Sequence, residues 1–100
     1  MIALSTVPGQ EQATISTVVD QEAILLNLDT GYYYSLDPVG SEIWALCDGT
    51  RSLGRILDQV CAGYEVDRER AQDDLVELVE DLISEGLLAI DERPLREKSD

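Results

Sequence analysis

Polar and apolar residues alternate through the first third of this chain and fall at helical spacing afterwards. Residues 13–19 (ATISTVV) are rich in β-branched side chains, which fit a pleated strand. Residues 22–28 (EAILLNL) follow the polar pair Asp20-Gln21 and read as a second strand. Asp29-Thr30-Gly31 then puts glycine where a bulged hairpin needs a left-handed residue, and residues 32–36 (YYYSL) resume as a third strand. Alternation places Ile24, Leu26 and Leu28 on one face of the second strand. On the third, Tyr32, Tyr34 and Leu36 share one face and Tyr33 and Ser35 the other.

From residue 37 the period becomes helical. Asp37-Pro38 reads as an N-cap followed by an N1 proline, because proline needs no amide partner there. Val39, Ile43, Leu46 and Cys47 form the apolar stripe, with Trp44 beside it, and Asp48-Gly49 ends the helix. Ser52 caps a second helix with the stripe Leu53, Ile56, Leu57, Val60 and Tyr64, which stops at Gly63. Asp67 caps a third helix, stapled by Val66 and Ala71 and ending near Glu85 with Gly86 as its stop signal. Leu87–Ile90 is a short apolar tail that can pack back on the core. Three strands followed by three helices (βββααα) predict a small α+β domain, winged helix-turn-helix-like, with a three-stranded antiparallel sheet. The expected organisation is an N-terminal segment over 1–12, a folded domain over 13–90 and a flexible charged tail over 91–100.

Charge narrows the partner. The 100 residues carry 21 acids and seven bases, a formal net charge of −14, with no histidine. All seven bases lie in the second half, so residues 1–50 hold no Lys or Arg at all. Nucleic acid is bound by neutralising phosphates with Lys and Arg, so DNA, RNA and anionic membrane surfaces are excluded as partners. A winged-helix nucleic-acid binder is the alternative that the helices alone would suggest, and the charge opposes it. Residues 1–12 lack a signal-peptide pattern and no apolar run spans a membrane, so the reading is cytoplasmic. Cys47 and Cys61 fit no metal or redox spacing and read as reduced core residues. Without histidine, Ser35, Ser41 and Ser52 have no general base. Gly40, Gly49, Gly54 and Gly63 form no phosphate loop. No cofactor, metal or catalytic residue is expected.

Two features exceed what the fold needs. The third strand holds three tyrosines and no charge, proline or other device that blunts an edge. Either another segment covers it, or it stays open so that an extended peptide can add as a strand. On the third helix, Leu78, Ala71, Leu82, Leu75, Val79, Ile83 and Val76 span about 160°, wider than the roughly 100° a core-facing helix requires. The excess flank is Val76, Val79 and Ile83, with Gln72 beside them. It is either covered by the tail or a neighbouring helix, or it forms one wall of a groove. The opposite arc carries Asp73, Asp74, Glu77, Glu80, Asp81 and Glu85, a solvated face that can also steer a basic partner.

Ile24–Asp37 (ILLNLDTGYYYSLD), Gly40–Thr50 with its DGT exit, and the closing Leu78–Leu88 (LVEDLISEGLL) together resemble the PqqD-like family over residues 13–90. Asp37 stands where that family usually has asparagine. The resemblance implies a RiPP recognition element, a non-catalytic domain that binds the leader of a ribosomally made precursor peptide. The leader adds to the third strand and lies against the third helix. The contact residues so implied are Tyr32, Tyr33, Tyr34, Ser35, Leu36, Gln72, Val76, Val79, Glu80 and Ile83. The Asp29–Leu36 pattern with Trp44 looks closest to the stand-alone recognition proteins of lasso-peptide clusters, whose partners are a leader peptidase and a cyclase. The alternative is the chaperone of pyrroloquinoline quinone synthesis, which serves a radical-SAM enzyme. A monomer or weak dimer is expected.

Overall fold

A computed structural model of the chain describes residues 2–91. The elements run β1 (Val7–Gln10), β2 (Thr14–Val19), β3 (Glu22–Asn27), β4 (Tyr33–Ser35), α1 (Pro38–Leu46), α2 (Leu53–Gly63), α3 (Arg68–Ser84) and β5 (Leu88–Asp91). The three predicted strands and three predicted helices are present, in an α+β arrangement. Strands β2, β3 and β4 form one antiparallel sheet in that order, and β1 pairs with β5 in a second, two-stranded sheet. The charged tail expected over 91–100 lies outside the described residues, except for the backbone of Asp91 in β5.

Local chemistry explains the boundaries. β2 and β3 turn at Asp20 and Gln21, both at positive φ (54° and 71°), between the paired residues Val19 and Glu22. Positive φ at both central residues matches the right-handed twist of the strands. Asp37 caps α1 by accepting a hydrogen bond from the Gly40 amide at 2.7 Å. Ser52 and Asp67 accept from the amides of Arg55 and Glu69 in the same manner. α3 ends in a Schellman motif: the Leu87 amide donates to the Leu82 carbonyl and the Gly86 amide to the Ile83 carbonyl, with Gly86 at φ +78°.

That motif aims Leu87 and Leu88 into the core and launches β5. Its partner β1 is the sequence VPGQ, which carries no strand pattern because proline lacks a donor and glycine lacks a packing side chain. Here both residues are used. The Pro8 carbonyl accepts from the Gly49 amide at 2.9 Å, and Gly9 passes close to the Gly49 backbone. The N-terminal segment is thereby spent on β5 and on α2, where Leu4 and Thr6 carbonyls accept from the Gly54 and Leu53 amides.

The core lies between the sheet and the helices. Ala23 and Leu25 of β3 meet Ile43, Trp44, Leu57, Leu75, Val79, Leu82 and Leu87, all buried. The thiol of Cys47 is buried and pushed up to about 12 by desolvation, while Cys61 is half-buried; both are free. Replacing Leu25 with alanine removes a fully buried side chain and leaves a cavity. It should cost about 2–5 kcal/mol in urea denaturation.

Candidate functional site

β4 is an edge strand. It pairs with β3 through Ile24↔Ser35, Leu25↔Tyr34 and Leu26↔Tyr33, and among the described residues no strand flanks its other side. The bonds that continue this ladder are Asn27 N–H to the Tyr32 carbonyl (3.0 Å) and Leu36 N–H to the Ala23 carbonyl (2.8 Å). Hydrogen-bonded and non-bonded pairs alternate along an antiparallel ladder. The main-chain groups of Tyr32, Tyr34 and Leu36 therefore face β3, and those of Tyr33 and Ser35 face the open edge.

Beside this edge lies a cleft of about 620 Å³. Leu36, Val39, Ile43, Val60, Val66, Ala71, Leu75 and Leu78 give it apolar walls, and Asp37, Asp74, Glu77 and Asp81 contribute carboxylates. Ser35 of β4 and Gly40 of α1 complete the lining. The cleft thus suits an apolar side chain on a peptide that also carries positive charge. The staple residues Val66 and Ala71 serve both to set the start of α3 and to line the cleft.

The two walls are tied together at one end. Asn27 is buried; its amide donates to the Glu85 carbonyl at 2.8 Å, and its side-chain oxygen accepts from the Asp29 and Thr30 amides at 2.9 and 3.3 Å. One side chain therefore shapes the β3–β4 turn and fastens it to the end of α3. The Tyr34 hydroxyl donates to the Glu85 carboxylate, and this bond to an anion pushes the phenol up to about 12. At the other end, the Ser41 hydroxyl accepts from the Ala23 amide at 2.6 Å and donates to the Leu36 carbonyl at 3.1 Å. Ser41 fastens α1 to the sheet.

The strand residues expected at the site fall in three groups. Ser35 and Leu36 line the cleft. Tyr34 is half-buried against the core, and Tyr32 and Tyr33 are exposed. The helical residues expected at the site lie outside this cleft. None of Gln72, Val76, Val79, Glu80 and Ile83 lines the cleft. Val76 and Val79 are buried, and Ile83 packs partly against the core. On that flank the Ile2 amide donates to the Glu80 carboxylate at 3.3 Å, and Ile2 and Leu4 pack against the core. The N-terminal segment thus reaches α3 at Glu80. The cleft uses the opposite border of the apolar arc, where Ala71 and Leu78 meet Asp74 and Asp81. Periodicity had singled out the Val76, Val79 and Ile83 flank, and the cleft lies at the other border.

An open three-residue edge strand, an adjoining apolar cleft and a helix fastened across its end define a PqqD-like domain. Residues 22–88 match the family described as Coenzyme PQQ synthesis protein D (PqqD), and the chain belongs to this family. A PqqA binding protein of Rhodopseudomonas palustris (strain BisB5) is 40% identical over 52 residues, 52% of this chain and 51% of that protein. One of Bradyrhizobium diazoefficiens is 36% identical over 52 residues, 52% of this chain and 50% of that protein. The chain spans about half the length of the curated relatives it matches. Among solved structures, TbiB1 in complex with the TbiA(beta) leader peptide superposes with a TM-score of 0.75 and 39% identity, covering 80% of this chain and 93% of TbiB1. A lasso peptide synthetase B1 complexed with the leader peptide has a TM-score of 0.75 at 22% identity, over 83% of this chain and 98% of that one, and shows the shared fold.

Asn27→Leu keeps the volume and removes three hydrogen bonds. It should cost about 1–3 kcal/mol and speed amide exchange in β4. Chemical denaturation and hydrogen exchange measure both effects.

Proposed function

We propose that this chain is a RiPP recognition element that binds the leader of a ribosomally made precursor peptide by strand addition to β4. It is non-catalytic, acts in the cytoplasm, and presents the precursor to a lasso-peptide leader peptidase and cyclase. The observation that carries this reading is the outward-facing main chain of Tyr33 and Ser35 beside an apolar cleft bordered by acids. Together the two residues offer two N–H donors and two carbonyl acceptors to an incoming strand. Side chains of that strand lying opposite Tyr34 and Leu36 turn toward α3, where the cleft takes them. Asp37, Asp74, Glu77 and Asp81 favour Lys or Arg in the leader and speed its encounter. The solved relative at 39% identity, covering 80% of this chain, is a leader-peptide complex, which supports leader binding.

In this reading no chemistry occurs on the protein. It lowers the entropy cost of the later step by holding a disordered peptide in one extended register, so that the residues beyond the leader reach the enzyme from a fixed point. No helix of the described residues is long and apolar enough to cross a membrane.

A second reading has its own support. The curated relatives are named PqqA binding proteins, so the bound peptide could instead be a precursor of pyrroloquinoline quinone, delivered to a radical-SAM enzyme. Titrating labelled leaders of both kinds into the protein decides between them, because each reading requires the tighter binding to be its own peptide.

Ser35→Pro removes a donor aimed at the open edge while leaving the bonds to β3 intact, as edge strands tolerate. Leader affinity should fall at least about tenfold, and Ser35→Ala should bind like the parent. Raising the salt from about 0.05 to 0.5 M should weaken binding of the parent. Normal binding by a folded Ser35→Pro protein would rule out strand addition at this edge.

A further inference from the structure

The outer face of the β2–β3–β4 sheet carries a row of apolar side chains that stops at the open edge. β3 buries Ala23, Leu25 and Asn27 on its inner face, so Ile24 and Leu26 lie on the outer one. Directly paired residues on neighbouring strands share a face. The register therefore lines up Ile15, Leu26 and Tyr33 as one row across all three strands. A second row holds Thr17, Ile24 and Ser35. The first row ends on an aromatic ring and the second on a small hydroxyl. Among the described residues no further strand extends either row.

The fold makes little use of that ring. Tyr34, its neighbour, is half-buried against the core and bonds Glu85 through its hydroxyl. Tyr33 is 70% exposed, and Ile15 at the far end of the row is 54% exposed. Leu26, between them, is half-buried. One side of the Tyr33 ring thus faces an apolar neighbour on β3, and the other faces the open edge.

That position coincides with the edge where a peptide strand would bond. The main chain of Tyr33 points outward, so an added strand pairs with it there. Whichever way that strand runs, the residue beside Tyr33 turns its side chain onto the outer face. It becomes the fourth member of the row, at a spacing of about 4.8 Å. Aromatic rings pair favourably across strands with aromatic and β-branched side chains. The outward residue beside Ser35 meets a small polar side chain and gains no such contact.

We propose that Tyr33 selects an aromatic or β-branched residue at the outward peptide position beside it, while the outward position beside Ser35 is unselected. This rests on the adaptor reading above and names the peptide class more narrowly. The cleft reads one face of the bound strand, and Tyr33 reads the other.

The test selects a displayed library of short random peptides on the full chain. Each side chain of the strongest binder is then truncated to alanine, and affinities are measured for the parent and Tyr33→Ser. Tyr33→Ser changes an exposed side chain and should melt within a few degrees of the parent. Tyr33→Thr, which keeps a strand-favouring residue, replaces it if that protein does not fold. One aromatic or β-branched peptide residue should couple to Tyr33 by about two- to fivefold in a double-mutant cycle. The peptide residue two positions away, beside Ser35, should show no coupling. Tyr33→Phe should bind like the parent, because the ring makes the contact. A peptide that protects the Tyr33 and Ser35 amides from exchange yet has no residue coupled to Tyr33 would overturn the proposal and leave strand addition standing. A library that yields no binder, or only binders that leave both amides unprotected, would remove strand addition and this proposal with it.

Discussion

The side-chain amide of Asn27 holds the two walls of the cleft in register. A buried amide is stable only when its donors and acceptors are paired, and here the partners come from different parts of the chain. The oxygen takes amides of the β3–β4 turn, and the nitrogen gives to the last turn of α3. Sliding the hairpin by one residue would break both sets and exchange the faces of β4. The same contact sits beside Gly86, where a Cβ would come within 3.1 Å of the Asn27 nitrogen. Asn27, Glu85 and Gly86 are thus one joint. It sets the distance from an open strand to a helix and so the width of what can lie between them.

Edge strands are ordinarily protected because an exposed ladder recruits other chains. This fold had a strand available for that purpose in β1, yet β1 pairs with β5 and not with β4. The same N-terminal segment bonds α3 at Glu80 and packs Ile2 and Leu4 against the core. The surface left free is an edge of three residues with an apolar cleft and carboxylates around it. The net charge of −14 is consistent with this use.

Much of the fold was legible in the sequence because local rules sufficed. Gly31 adopts φ +78° where the hairpin pattern asked for a left-handed residue, and Asp37, Ser52 and Asp67 cap the three helices as their spacing implied. What local rules could not supply were choices made by distant partners. VPGQ becomes a strand only because Leu88–Asp91 and Gly49 offer it bonds. Alternation showed which residues of β3 share a face but not which face meets the helices. The core takes Ala23 and Leu25 and leaves Ile24 and Leu26 outside. On α3 the expected flank was Val76, Val79 and Ile83, but Val76 and Val79 are buried and the cleft lies at Ala71 and Leu78.

The central claim is that a peptide joins the sheet through the main chain of Tyr33 and Ser35. Residue-resolved amide exchange, with and without a saturating leader peptide, tests it most directly. The account predicts that the amides of Tyr33 and Ser35 become protected by at least an order of magnitude on binding, while that of Tyr34, already bonded to β3, changes little. Saturated binding with Tyr33 and Ser35 still exchanging freely, or with new protection confined to β2, would contradict it.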